Sequence, residues 1–433
     1  MTDPHPYDLV IGLDRADKKC DLCLIDTRTL ESQKQTLSVA PEALFDWVHQ
    51  LRLKYPTGRI AICLEQPASN LLAFLETYEF LTLYAINPVT LQKYREAFVT
   101  SRAKDDDLDA ETLADLVLTH HAKLTPWKAE DPQTRLLGQL VIHRRAVVNE
   151  RTELTNQIQA HLKAYYPQAL ELCGEELWRP LATSFLLKWP TLQAVRKARP
   201  DTLRTFYYRQ GSRSETLIAE RLEVVAQAVA LTQDPGLLET YAMRVALAVK
   251  QLCLVVQAIK TYDKKIADLF AQHPDREIFR TLPGAGPIFA PRLLISMGAR
   301  RERFQDNRSL QCFSGIAPVT KRSGKKCYVH RRYLCPVFVK QSFHEFAKQS
   351  IFHSRWAAAY YQQQRRRGSK HNTAVRALAY KWQRVIWKCW HDHTIYKEEI
   401  YEAALRRRNS PLVPLLEGIE LGKFPVINGE NNN

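Results

Sequence analysis

The stretch Lys104-Asp105-Asp106-Asp107-Leu108-Asp109-Ala110 runs directly into an apolar stripe at Leu113, Leu116 and Val117. The stripe has helical spacing. Traced backwards it meets Asp109 and Asp106, and residues three and four apart share a helix face. Two carboxylates are therefore expected on the side that faces the core. A carboxylate turned inward needs a cation, and a hard divalent metal such as magnesium suits oxygen ligands of this kind. Acids in a helix's first turn also favour the helix dipole and are common for that reason alone, so other acids must decide. Asp14 and Glu65 each stand where a short apolar run ends. Four carboxylates from two strand ends and one helix can hold two metal ions and clamp a phosphodiester. Asp17, Asp105, Asp107 and Asp115 compete for the same roles on spacing.

The elements that would carry these acids follow from pattern. Tyr7 to Asp14 reads as a buried strand, Cys20 to Asp26 as its hairpin partner, and Thr36 to Val39 as a third strand. Pro41 to Tyr55 is helical through Leu44, Val48 and Leu51. Arg59 to Leu64 is a short apolar strand, Asn70 to Tyr78 a helix and Leu81 to Ile86 another strand. Hairpin strands followed by alternating helix and strand predict a mixed α/β sheet layered with helices.

Downstream, about Gln133 to Tyr165 reads as one long amphipathic helix. Thr216 to Phe270 reads as a second, broken near Asp234-Pro235-Gly236. Such helices form a helical hairpin, an ordinary helical subdomain or a dimerising coiled coil. Tyr166 to Ser214 has no clear period. The expected segments are 1–125 (α/β), 133–275 (helical or coiled-coil), 276–400 (mainly α) and 401–433, a basic then polar tail, partly disordered.

The chain has 433 residues and a formal net charge of +16. That excess favours a polyanionic partner, most often nucleic acid. Lys321-Arg322, Lys325-Lys326, Arg331-Arg332, Arg365-Arg366-Arg367 and Arg406-Arg407-Arg408 crowd the C-terminal part. No long uncharged apolar run and no N-terminal signal pattern appears, so a cytoplasmic protein without a membrane span is expected. Nine scattered cysteines point to reduced thiols. Cys20 and Cys23, on a strand, would point to opposite faces; Cys327, His330 and Cys335 lack a fourth ligand at metal-site spacing.

Leu282-Pro283-Gly284-Ala285-Gly286-Pro287 lies between helical stretches. Gly284 and Gly286 permit a tight turn and close backbone approach, and the following helix offers free N–H groups to a phosphate. This is the pattern of a helix-hairpin-helix, which reads DNA backbone; Arg292, Arg300, Arg301 and Arg303 nearby favour that use. Ser323 stands in a Gly-containing loop flanked by Lys321, Arg322, Lys325 and Lys326, with Arg331 and Arg332 beyond. A serine becomes a nucleophile when its proton is removed and the charge on the attacked phosphate is offset. An exposed, solvated loop is the ordinary alternative.

Together, Gly12-Leu13-Asp14-Arg15-Ala16-Asp17-Lys18, Glu65 and Lys104-x-Asp106-x-x-Asp109-Ala110 resemble the tetrad of the DEDD-type insertion-sequence transposases, a family of bridge-RNA-guided serine recombinases. Leu282 to about Tyr396, with Pro-Gly-x-Gly, Gly-x-Ala-Pro and Ser-Gly-Lys, resembles the C-terminal domain of the same family. The resemblance implies an N-terminal RNase H-like (RuvC-like) domain. Asp14, Glu65, Asp106 and Asp109 would be the metal ligands for Mg²⁺, in two ions, and Ser323 the nucleophile; Ser314 falls where the family has a small residue. It implies double-stranded donor and target DNA, a structured bridge RNA, a homo-oligomer and a bacterial or archaeal nucleoid setting. Without it, a RuvC-like nuclease using water or a non-catalytic DNA-binding protein would explain the same residues.

Overall fold

The computed structural model describes residues 5–65, 69–98, 106–324 and 326–422. Contacts divide the chain into two units, Met1–Glu130 and Asp131–Asn433.

The first unit holds β1 (Leu9–Arg15), β2 (Lys19–Asp26), β3 (Ser32–Ser38), α1 (Pro41–Lys54), β4 (Ile60–Glu65), α2 (Ser69–Leu75), β5 (Leu81–Ile86), α3 (Pro88–Phe98) and α4 (Asp106–His120). Its sheet has the order β3-β2-β1-β4-β5. β1 pairs antiparallel with β2 and parallel with β4, which pairs parallel with β5. This mixed sheet is consistent with an RNase H-like domain. Central strands covered on both faces are apolar almost throughout, and β1 is buried from Leu9 to Leu13.

Alternation then sorts the side chains. Leu9, Ile11, Leu13, Ile60, Ile62 and Leu64 pack under α1 and α2. Val10, Ala61, Cys63, Tyr84 and Ile86 face the other way and meet Ala110, Leu113, Ala114 and Val117 of α4. The predicted stripe of α4 is thus its buried face. α3, which carries Arg95, has no counterpart in the sequence reading. Its charged and polar residues hide the helical period.

Gly12 fixes the seat of α4. A Cβ there would stand 1.9 Å from the Ala110 carbonyl oxygen and 2.5 Å from the Ala114 nitrogen. The strand and helix backbones touch because Gly12 carries nothing between them. At the far end, His5 Nε2 lies 3.2 Å from the Leu118 carbonyl oxygen, and the His5 and His121 rings meet edge to face. The C-terminal end of α4 therefore lies at the start of β1, and its N-terminal end lies where β1 finishes.

The second unit begins with α5 (Pro132–Tyr165), followed by α6 (Ala169–Cys173), α7 (Pro180–Lys188), α8 (Leu192–Arg196), α9 (Pro200–Arg209), α10 (Glu215–Gln227) and α11 (Pro235–Gln272). α5 and α11 run antiparallel: Arg144 pairs with Asp263, and the Tyr165 and Tyr241 rings stack at 5.9 Å. α11 is long and apolar enough to cross a membrane, but Val245, Val249 and Leu252 are buried in the helical core. The stretch without a period, Tyr166 to Ser214, holds the short helices α6 to α9. They are too short to display one, and they close an aromatic core of Tyr166, Phe185, Trp189, Phe206 and Tyr207.

α12 (Arg276–Arg280), α13 (Gly286–Met297) and α14 (Asn307–Phe313) precede the hairpin β6 (Val319–Ser323) and β7 (Lys326–His330). α15 (Val337–Ser350), α16 (Arg355–Arg366), α17 (His371–His391), α18 (Glu398–Arg407) and α19 (Val413–Leu416) complete it. Trp356, Trp382 and Trp390 are buried at its centre, and Leu416 joins them. Within the expected tail, α18 and α19 lay Tyr401, Leu405 and Leu415 against that core. Residues 423–433 lie outside the described residues.

Substituting Gly12 by Ala forces α4 off its seat, because the obstructing atoms are backbone. The expected cost is about 1–3 kcal/mol, measured by urea unfolding of the full chain. Gly138→Ala, whose Cβ would meet Ile295 Cγ2 at an ordinary 3.5 Å, is the neutral or stabilising control.

Candidate active site

Asp14 and Glu65 come together through register. Leu13 of β1 pairs with Leu64 of β4 in parallel, so the next residue on each strand is one of the two acids. Asp14 lies two residues beyond Gly12 and Glu65 two beyond Cys63, so both project from the face that α4 covers. Each is half-buried. α4 brings its N-terminal end to the same end of β1, with Asp106 as its first residue and Asp109 one turn later. Helix N-termini favour negative charge. The side chains of Asp106 and Asp107 lie outside the described residues, as does Asp105.

Asp109 is buried, 8% exposed. Its Oδ1 accepts from Arg95 Nη1 at 2.5 Å, and both side chains are largely shielded from water. Among the described residues, no three His, Cys, Asp or Glu side chains converge closely enough to hold a metal. Asp14 and Glu65 stand at the ends of adjacent strands, and Asp109 is engaged by an internal guanidinium. The donor set, carboxylate oxygens only, fits a hard divalent cation by chemistry.

The competing acids separate. Asp17 is exposed in the turn after β1. Asp115 is exposed and accepts from the Tyr94 hydroxyl at 2.7 Å; burial, then that carboxylate, pushes the Tyr94 phenol up to about 12. Asp21 was not anticipated. It pairs directly with Asp14 across the β1–β2 ladder and is buried at 5% exposure. Like charges directly opposite are unfavourable, and here Lys19 Nζ at 2.9 Å and Thr36 Oγ1 at 3.0 Å hold the Asp21 carboxylate. A buried acid on an otherwise apolar strand was the available signal. Cys20 and Cys23 belong to opposite faces of β2, and burial pushes both thiols up to about 11.

In the second unit the Pro-Gly-x-Gly turn joins α12 to α13. Gly284 (φ +78°) packs so tightly that a Cβ would meet His353 Cδ2 at 2.7 Å, whereas Gly286 (φ +51°) has open space. Arg292 departs from the phosphate-binding role expected of it. It is buried at 4% exposure, donates from Nη1 to Glu345 Oε2 at 2.6 Å and from Nε to Ser342 Oγ at 3.2 Å. Pointing into the core on α13, it needs a carboxylate there. Arg301 is likewise bound, to Asp275 at 2.6 Å.

Ser314 is fully buried and accepts from Gln383 Nε2 at 2.7 Å. Ser323 ends β6 at the tip of the β6–β7 hairpin, exposed, with Lys326 opposite it in register. Lys321, Arg322, Lys326 and Arg331 are exposed as well; Arg332 is half-buried with Nη2 3.8 Å from Cys312 Sγ. Lys325 lies outside the described residues. Cys327 and His330, three apart on β7, occupy opposite faces.

A transposase family model matches residues 11–167, from β1 into α5. A second, the transposase family of IS116, IS110 and IS902, matches residues 276–362, which include the Pro-Gly-x-Gly turn and the hairpin of Ser323. The chain belongs to the DEDD-type insertion-sequence transposases. It is 29% identical over 374 residues to a mini-circle protein of Streptomyces coelicolor named for transposition of IS117, covering 85% of this chain and 90% of the relative. A 43.6 kDa protein of insertion element IS110 from the same organism is 24% identical over 413 residues, 92% of this chain and 98% of its own. A 42 kDa protein of IS900 from Mycobacterium paratuberculosis is 27% identical over 305 residues, 70% and 75%. In this transposase the two matched regions contain every acid of the candidate tetrad and Ser323. Helices α6 to α11 lie outside both.

Arg95 is the cation that the buried Asp109 carboxylate holds, and that pairing is testable without catalysis. Arg95→Met leaves a buried carboxylate unpaired, at an expected cost of about 1–3 kcal/mol in EDTA. Millimolar Mg²⁺ should restore more stability to this variant than to wild type. Equal unfolding midpoints of variant and wild type in EDTA would contradict the assignment.

Proposed function

We propose that this insertion-sequence transposase cuts and rejoins DNA through Ser323 together with the carboxylates Asp14, Glu65, Asp106 and Asp109, guided by a structured bridge RNA. What carries the proposal is the placement of Asp14 and Glu65 at adjacent strand ends, on the face covered by the helix of Asp106 and Asp109. Ser323 is supported by its exposure at a hairpin tip among Lys321, Arg322 and Lys326, and by the burial of Ser314.

The reaction is a transesterification. A bond forms between Ser323 Oγ and phosphorus, and the bond from phosphorus to one deoxyribose oxygen breaks. The serine loses its proton, and the departing oxygen becomes a hydroxyl. The number of phosphoester bonds is unchanged, so the reverse step rejoins DNA with no high-energy cofactor. Lys321 and Lys326 balance charge on the attacked phosphate. Asp14, Glu65, Asp106 and Asp109 would hold Mg²⁺, which when bound offsets the charge that builds up on the phosphoryl oxygens. The net charge of +16 suits simultaneous binding of DNA and RNA, and the expected setting is the bacterial or archaeal cytoplasm.

Wild type incubated with donor and target DNA, its co-purified RNA and Mg²⁺ should yield a protein–DNA adduct that survives denaturation. Ser323→Ala should yield neither adduct nor joined product, and Asp14→Ala should lose at least about 100-fold in rate, the scale of removing one charge-stabilising group. Cleavage without an adduct, or an adduct surviving in Ser323→Ala, would establish hydrolysis by water or another nucleophile. Unaltered activity in Asp14→Ala would remove the carboxylates from the chemistry.

A further inference from the structure

The β6–β7 hairpin has two faces, and the register assigns its residues to them. Ser323 pairs with Lys326, Lys321 with Tyr328 and Val319 with His330, while Arg322 pairs with Cys327 and Thr320 with Val329. Alternation puts Ser323, Lys321, Lys326, Tyr328 and His330 on one face. From Thr320 to His330 every described residue is exposed. Tyr328 is 52% exposed, and its ring lies nearly parallel to that of His330, centroids 6.3 Å apart at 18°. A two-stranded hairpin solvated on both faces is marginally stable alone, and exposed rings in near-parallel planes offer a flat apolar surface to another flat group.

The occupant follows from charge. Between Asp306 and Glu345 the chain has no acidic residue, while Lys321, Arg322, Lys326 and Arg331 project from the hairpin or its base. A polyanion carrying flat rings is a nucleic acid. Successive rows on one strand face are about 7 Å apart, so a phosphate attacked at Ser323 leaves its neighbouring base within reach of Tyr328. A base paired and stacked in a duplex exposes no ring face to such a surface. We propose that the Ser323 face is a platform for a DNA strand whose base beside the attacked phosphate is unstacked. Lys321 and Lys326 take its phosphates, and Tyr328, backed by His330, carries the base. This rests on the assignment of Ser323 above and adds the state of the DNA and two positioning residues.

Full-length Ser323→Ala protein separates binding from chemistry. Its affinity for a 12-nucleotide single-stranded DNA and for the matching duplex is read by fluorescence anisotropy across a salt series. Tyr328→Ala in this background should weaken single-strand binding roughly 5- to 100-fold, leave duplex binding and the salt slope unchanged, and be rescued by Tyr328→Phe. Lys326→Ala should instead lower the salt slope by about one. Single strands carrying 5-iodouracil should photocrosslink to the peptide containing Tyr328. Loss of duplex and single-strand binding in equal measure, failure of Phe to rescue, equal preference for single-stranded RNA, or crosslinks confined to other peptides would each overturn the platform. Absence of a Ser323 adduct in wild type, with these binding differences intact, would overturn only the nucleophile assignment.

Discussion

The contact between Gly12 and α4 is the constraint on which the acidic site depends. Helix and strand backbones meet there with no side chain between them, and the small residues Ala110 and Ala114 complete the fit. With the His5–Leu118 contact fixing the other end, the helix has one available position and one direction. Its acidic first turn then lies at the strand ends that carry Asp14 and Glu65. A bulkier residue at position 12 would leave each carboxylate in place on its own element and remove their relation to one another.

Charge is the second organising quantity, and the structure distributes it unevenly. Acids near the strand ends are held by protein cations: Asp109 by Arg95 and Asp21 by Lys19, with Glu111 of α4 paired to Lys34 on β3 at 2.8 Å. In the second unit the pattern inverts, and core arginines are held by acids, Arg292 by Glu345 and Arg301 by Asp275. Burial drives the Arg292 pKa down, with Glu345 opposing. Charges removed from water need partners or the site collapses toward neutrality. These arginines therefore contribute to folding, whereas the acid-free hairpin keeps its cations in solvent.

Polarity in the catalytic candidates follows the same division. Ser314 and Ser323 are nine residues apart and chemically identical. One is locked between Gln311 and Gln383 inside the core, where its hydroxyl satisfies a buried amide. The other stands at a turn completed by Gly324 at φ +55°, a conformation that glycine adopts without strain. Only the second is open to a substrate.

The sequence by itself determined the strands of the first unit and its helices α1, α2 and α4, because period-two and period-3.6 patterns are local and the apolar residues there are dense. It also determined the inward face of α4, since Leu113, Leu116 and Val117 share one side of any helix they form. It could not supply α3, whose polar surface masks its period, nor the short helices between α5 and α10, which end before a period can repeat. Pairing was decided by the tertiary structure alone. That Asp21 lies opposite Asp14 depends on strand register, that Arg95 reaches Asp109 on the packing of α3 beside α4, and that Arg292 is spent on Glu345 on the packing of α13 against α15. Each joins residues 7 to 53 positions apart, and no local pattern encodes which of many like-charged residues will meet, because that choice is made by the shapes that close around them.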